Sequence, residues 1–108
     1  MNALQQIQSN MQEMIQVPMD MGRHFSRRLM KHIHPDVELV QVDMSETTEM
    51  NARGLGKLLR LQHSLHKQGK RLRLVNISMR VMLFLELTQA DKILDVSWNQ
   101  NLRSSFAA

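Results

Sequence analysis

Cysteine and tyrosine are absent from this chain of 108 residues. Without cysteine there is no disulfide, no thiolate zinc site and no cysteine nucleophile, a composition that fits a reducing cytoplasm. Aromatic side chains are scarce, limited to Phe25, Phe84, Trp98 and Phe106, so platforms for stacking nucleic-acid bases are few. No apolar run approaches the roughly 20 residues needed to span a bilayer. The opening MNALQQIQSNMQEMIQ lacks a basic region followed by an apolar one, so no secretory signal is read and a cytoplasmic location is expected. The length suits one domain and excludes a multidomain enzyme. An apolar content of 43% is near the average for folded proteins and argues against disorder. The ten methionines are expected mostly in the core, where a flexible thioether fills irregular gaps.

The net charge is +4, and it is unevenly placed. From Ala52 through Leu85 there is no acidic residue, while Arg53, Lys57, Arg60, Lys67, Lys70, Arg71, Arg73 and Arg80 fall in that stretch. From Pro35 through Asn51 the pattern reverses, with Asp36, Glu38, Asp43, Glu46 and Glu49 and no Lys or Arg. A basic stretch of this kind either tracks phosphates or forms a solvated or protein-binding face.

Residues 3–17 leave two readings. Alternating parity with a Ser9-Asn10 turn fits two short strands, and helix propensity fits a Gln-rich helix over 2–16. The spacing of Met21, Phe25, Leu29, Met30 and Ile33 predicts a helix over 21–33 with Asp20 as N-cap. Val37 to Met44 reads as a strand ending at Asp43. A helix over 55–68 follows, with Leu55, Leu58, Leu59, Gln62 and Leu65 as its stripe and Gly69 as a left-handed stop. RLRLVN predicts a strand. Ser78 is placed to cap a helix that carries Met79, Met82, Leu83, Leu85 and Leu87, and Ile93 to Val96 reads as a last strand. Strands alternating with helices predict an α/β fold with a partly parallel sheet.

Catalytic and metal chemistry find little support. His32 with His34, and His63 with His66, have the spacing of ligand pairs, but Lys and Arg surround both, which disfavours a divalent cation. No nucleophile–base pair stands out among Ser45, Thr47, Thr48, Ser64 and Ser78. The glycines of RGLGK lack P-loop spacing. Gly54 and Gly56 cost roughly 1 kcal/mol each inside a helix. They serve either tight packing on the sheet or a binding site at the helix start, where unpaired N–H groups favour an anion.

From Asp43 to about Leu94 the chain resembles the STAS domain of bacterial anti-sigma factor antagonists. Asp43-Met44-Ser45 is similar to that family's Asp-Leu-Ser. The run Asn51-Ala52-Arg53-Gly54-Leu55-Gly56-Lys57-Leu58-Leu59 is similar to its Asp-Ser-Ser-Gly-Leu-Gly-x-Leu-Leu. Gln68-Gly69-Lys70-Arg71-Leu72, Leu74-Val75-Asn76, Leu85-Glu86-Leu87-Thr88 and Asp91-Lys92-Ile93-Leu94 follow in order.

The resemblance implies one STAS-like domain over 1–108, with a strand hairpin within 1–20 and a tail over 97–108. It implies a mixed sheet of four to five strands with helices mainly on one face. It also implies a non-enzymatic module that binds an anti-sigma factor or serine-kinase-like protein around the helix start. In the family the kinase phosphorylates the first serine of the motif, which adds about −2 charge and weakens binding, and a phosphatase reverses the step.

Here that serine position is Ala52, preceded by Asn51 and followed by Arg53. Alanine has no hydroxyl, so the chain is either a natural non-phosphorylatable member or a Ser→Ala form locked in the binding state. A phosphatase partner applies only where the natural chain carries serine there. The expected contact surface is Asn51, Ala52, Arg53, Gly54, Leu55 and Lys57, rimmed by Thr47, Thr48 and Met50, with Met50 as an apolar anchor. No cofactor or metal is expected. Two alternatives stand: a STAS-like accessory subunit of an ATPase or transport complex, and a binder of nucleic acid or anionic lipid through the basic 53–80 stretch.

Overall fold

The computed structural model describes residues 14–97. They form β1 (Met14–Pro18), α1 (Phe25–His32), β2 (Leu39–Asp43), α2 (Ala52–Lys67), β3 (Arg71–Val75), α3 (Met79–Leu87), a 3-10 turn (Ala90–Lys92) and β4 (Asp95–Val96). The strands lie in the order β1-β2-β3-β4, every pair parallel. When strand order follows chain order, right-handed crossovers carry all the helices to the same face. The antiparallel strand that would make the sheet mixed, with its Ser9-Asn10 turn, and the tail from Trp98 lie outside the described residues. Met14–Pro18 is a strand, so the helical reading of residues 2–16 fails at its C-terminal end.

The register explains which face is covered. Ile15, Val40 and Leu72 are paired in one row, and Val17, Val42, Leu74 and Val96 in another. Val40, Val42 and Leu74 are fully buried. The row between them is polar, Gln16–Gln41–Arg73–Asp95. Side chains alternate across a strand, so these polar residues take the other face. There Arg73 Nε donates to Asp95 at 3.1 Å. Leu58, Leu61 and Leu65 of α2 cover the apolar rows with no exposed surface, which stabilises by about 1.5–3 kcal/mol each. Of the methionines, Met44, Met50 and Met82 are buried, whereas Met14 and Met21 are exposed.

Several boundaries differ from the sequence reading. α1 starts four residues late because Asp20 does not cap it. Asp20 Oδ1 instead accepts from the Gly22 N–H at 2.7 Å, and its other oxygen pairs with Arg28. His24, at φ 63°, then turns the chain into the helix with no side-chain cap. α2 starts earlier than expected because Asn51 Oδ1 accepts from the Gly54 N–H at 2.8 Å. A good cap is worth about 1 kcal/mol and offsets a glycine in the first turn. Its buried stripe is Gly54, Leu58, Leu61 and Leu65. Leu55 and Leu59 only flank it, and Gln62 Nε2 donates to the Ile93 carbonyl at 2.8 Å.

The stop at Gly69 is as read. At φ 73° its N–H bonds the His66 carbonyl while Lys70 N–H bonds that of Leu65, the paired closure of a Schellman turn. Ser78 caps α3 by accepting from Val81 N–H. Val81, Met82 and Leu85 are its buried residues, while Leu83 and Leu87 are 49% and 84% exposed. β4 has two residues rather than four, because the Ile93 and Leu94 N–H groups both turn back to the Ala90 carbonyl.

Candidate functional site

The C-terminal ends of parallel strands collect loops and helix starts on one edge, where α/β proteins place their binding sites. Here that edge is built from the loop between β2 and α2. Asp43 closes β2, and its Oδ1 accepts from the Ser45 N–H at 2.9 Å and from Asn76 Nδ2 at 3.0 Å. Asn76, at φ 58°, follows directly after β3. The Asn76 amide, and then the Ser45 N–H and hydroxyl, hold the Asp43 carboxyl below its ordinary value of 3.8. Met44 N–H extends the ladder to the Val75 carbonyl, and Thr47 N–H returns to the Met44 carbonyl at 3.0 Å. The loop is thereby tied to both β2 and β3.

The expected contact residues fall into two groups. Asn51, Ala52 and Arg53 are exposed at the start of α2, with Thr48 exposed and Thr47 half-buried on the loop before them. Asn51 spends its side-chain oxygen on the cap, so Ala52 and Arg53 carry the free surface. The second group points inward. Met50 is 8% exposed and sits under the helix rather than projecting from it. Gly54 is buried, and a Cβ there would lie 2.4 Å from the Met50 sulfur and 2.8 Å from the Met21 methyl. Leu55 and Lys57 are half-buried, and Lys57 Nζ donates to the Gly22 carbonyl. Gly56 faces open space, with no atom of the described residues within 4 Å of its would-be Cβ. The two glycines therefore have different reasons to be glycine: close packing at the first, nothing in the fold at the second.

The basic 53–80 stretch does not form one surface. Lys70 is 5% exposed. Its Nζ donates to the carbonyls of His34, Pro35 and Val37, which compensates the burial of its charge. Arg73 pairs with Asp95 and Arg80 with Glu49. Arg71 is exposed at the start of β3. The other four, Arg53, Lys57, Arg60 and Lys67, are all on α2, where they face Arg23, Arg27 and Lys31 across a groove between α1 and α2. The α1 contribution was missed in the sequence. Arg27 and Lys31 are four apart on α1, and Arg53, Lys57, Arg60 and Lys67 follow helical spacing on α2, so each set lies along one face, with Arg23 joining from the turn before α1. The signal was present in two stripes that only the tertiary fold brings together.

Among the described residues no three histidine, aspartate or glutamate side chains converge on a point that would hold a metal. No helix among them is long and apolar enough to cross a membrane.

Comparison with known proteins finds a family and a fold. The sequence model of the family described as "Mlab, STAS domain" matches residues 17–95. The NMR structure of the protein TM1081 superposes with a TM-score of 0.64 at 16% identity, over 86% of this chain and 80% of that one. That likeness is one of fold. No curated protein matches the sequence.

Proposed function

The chain belongs to the STAS domain family, and on that premise we propose that it is a non-enzymatic interaction module that holds a protein partner constitutively through the exposed start of α2. One observation carries the reading. Ala52, at the phospho-acceptor position of the family motif, is exposed on the first turn of α2, and it has no hydroxyl. The family's switch is a charge added at this point, and here the charge cannot be added. Ala52 therefore fixes the unphosphorylated, binding-competent surface. In a partner-switching circuit the protein is an anti-sigma factor antagonist that stays bound to its anti-sigma factor or serine-kinase-like partner. The missing hydroxyl equally favours a second reading, an accessory subunit bound permanently to the ATPase of a transport complex.

The test is Ala52→Asp, compared with the parent chain in pull-downs from lysate of the organism it comes from, with mass spectrometry of what is retained. An aspartate at the first helical residue favours the α2 dipole, so the fold is expected to hold and thermal unfolding reports that it does. The expected result is at least about tenfold less partner on the aspartate variant. A sigma-regulating or kinase-like protein in the eluate supports the antagonist. A transport ATPase supports the accessory subunit. Equal retention of one partner by both forms would remove the α2 start from the interface.

A further inference from the structure

We propose that the basic groove between α1 and α2 is a docking site for an acidic segment of a partner protein. The groove encloses about 560 Å3 between the two helices. A second hollow of about 350 Å3 adjoins it toward the start of α2 and shares His24, Lys57 and Arg60 with it. Arg27 and Lys31 stand on the α1 bank, with Arg23 at the end of the track. Arg53, Lys57, Arg60 and Lys67 stand on the α2 bank. Among the described residues no carboxylate lines either hollow. The carboxylate pairs of arginine among the described residues use Arg28, Arg73 and Arg80 instead. Like charges that face one another across a groove repel, and an anionic occupant relieves that repulsion.

The length of the track selects the occupant. Arg53 to Lys67 is fourteen residues of helix, about 21 Å, longer than one phosphate needs. An extended peptide advances about 3.3 Å per residue, so roughly six residues fill it. Met30, half-buried, lines the groove and offers apolar contact between the charges. Nucleic acid fits less well, because bases need stacking faces and the one aromatic in the groove, Phe25, is 7% exposed. A membrane surface fits less well, because insertion needs protruding apolar side chains. The most exposed large ones among the described residues, Leu83, Leu87 and Ile93, lie outside the groove. Ala52 does not line the groove, so this site stands whether or not position 52 is a contact.

The probe is a fluorescein-labelled hexaglutamate peptide, followed by anisotropy on the full chain. Arg27→Glu with Arg60→Glu reverses one charge on each bank and takes the net charge from +4 to zero. The control, Arg71→Glu with Lys92→Glu, makes the same change at two exposed positions outside the groove. Circular dichroism verifies both folds, and Lys31→Glu with Lys67→Glu is a second groove pair should the first unfold. The expected result is a loss of about tenfold or more in the groove variant, and about threefold or less in the control. Equal losses in groove and control variants would reduce the effect to net charge and overturn the site. A single-stranded oligonucleotide, or vesicles rich in anionic lipid, bound more tightly than the peptide and lost with the same groove pair would overturn the choice of a protein segment.

Discussion

On its sheet side α2 presents Gly54, Leu58, Leu61 and Leu65, all buried, while on the side away from them Arg53, Gly56 and Arg60 are exposed. Both sides are written in the same stretch of chain, and both contain a glycine. The inner side is constrained by volume. Met50 and Met21 already occupy the space a Gly54 side chain would need. At Arg53, Gly56 and Arg60 the outer side packs against none of the core, so its arginines and glycine are free to serve a partner. A substitution on the inner side should therefore read out as stability, and one on the outer side as binding.

The largest expected effect is Leu61→Ala. Leu61 has no exposed surface and packs in the main core, so the cavity should cost about 2–5 kcal/mol, measured by urea unfolding. A cost below about 1 kcal/mol would mean that α2 is not the central prop of the sheet. The glycine pair sharpens the contrast further, because the same change should have opposite signs two residues apart. Gly54→Ala gains helix propensity of about 1 kcal/mol but forces the buried Met50 to repack, an overpacking cost of about 1–3 kcal/mol, for a net loss of about 1 kcal/mol. Met21 is an exposed residue with a flexible side chain, so it moves aside more easily. Gly56→Ala meets no atom and should stabilise by about 0.8–1 kcal/mol. If both variants are stabilised, Met50 is not holding Gly54 in place.

The alternating strands, the run of helices and the Gly69 and Ser78 signals were legible because each follows from local chemistry: parity, a cap, a left-handed stop. Met50 was misplaced for a tertiary reason. A lone apolar residue in a polar loop looks the same in sequence whether it projects to a partner or tucks under a helix. Asp20 was misread because two acceptor roles compete for one carboxylate, and the Arg28 pair eight residues away decides between them. Which apolar residues of α3 are buried is not legible, because the helix is apolar nearly all round, which leaves periodicity no contrast to act on. The candidate site was legible as a motif, from Asn51 to Leu59. The groove was not, since Arg23, Arg27 and Lys31 come from α1 and the turn before it, separated from the motif by a whole strand.

The smallest effect concerns Asp43, on the loop that leads to the outer side. Its carboxyl is held below the ordinary value of 3.8, chiefly by the Asn76 amide and then by Ser45. The ionised form is thus favoured by folding. Its contribution is fully present above about pH 4 and is lost as the pH falls through the lower folded-state value, because in that window the unfolded chain binds more protons. Asp43→Asn abolishes the titration while keeping the shape of the side chain. Urea unfolding of the two proteins from about pH 6 to about pH 3 should show the parent more stable at the upper end, with the gap narrowing toward the lower. Ser45 and Asn76 hold one carboxylate oxygen jointly, so a gap that stayed constant with pH would mean they hold it by shape rather than by charge. The loop would then owe its position to the Met44 and Thr47 backbone bonds, and the start of α2 would be set from the inner side alone.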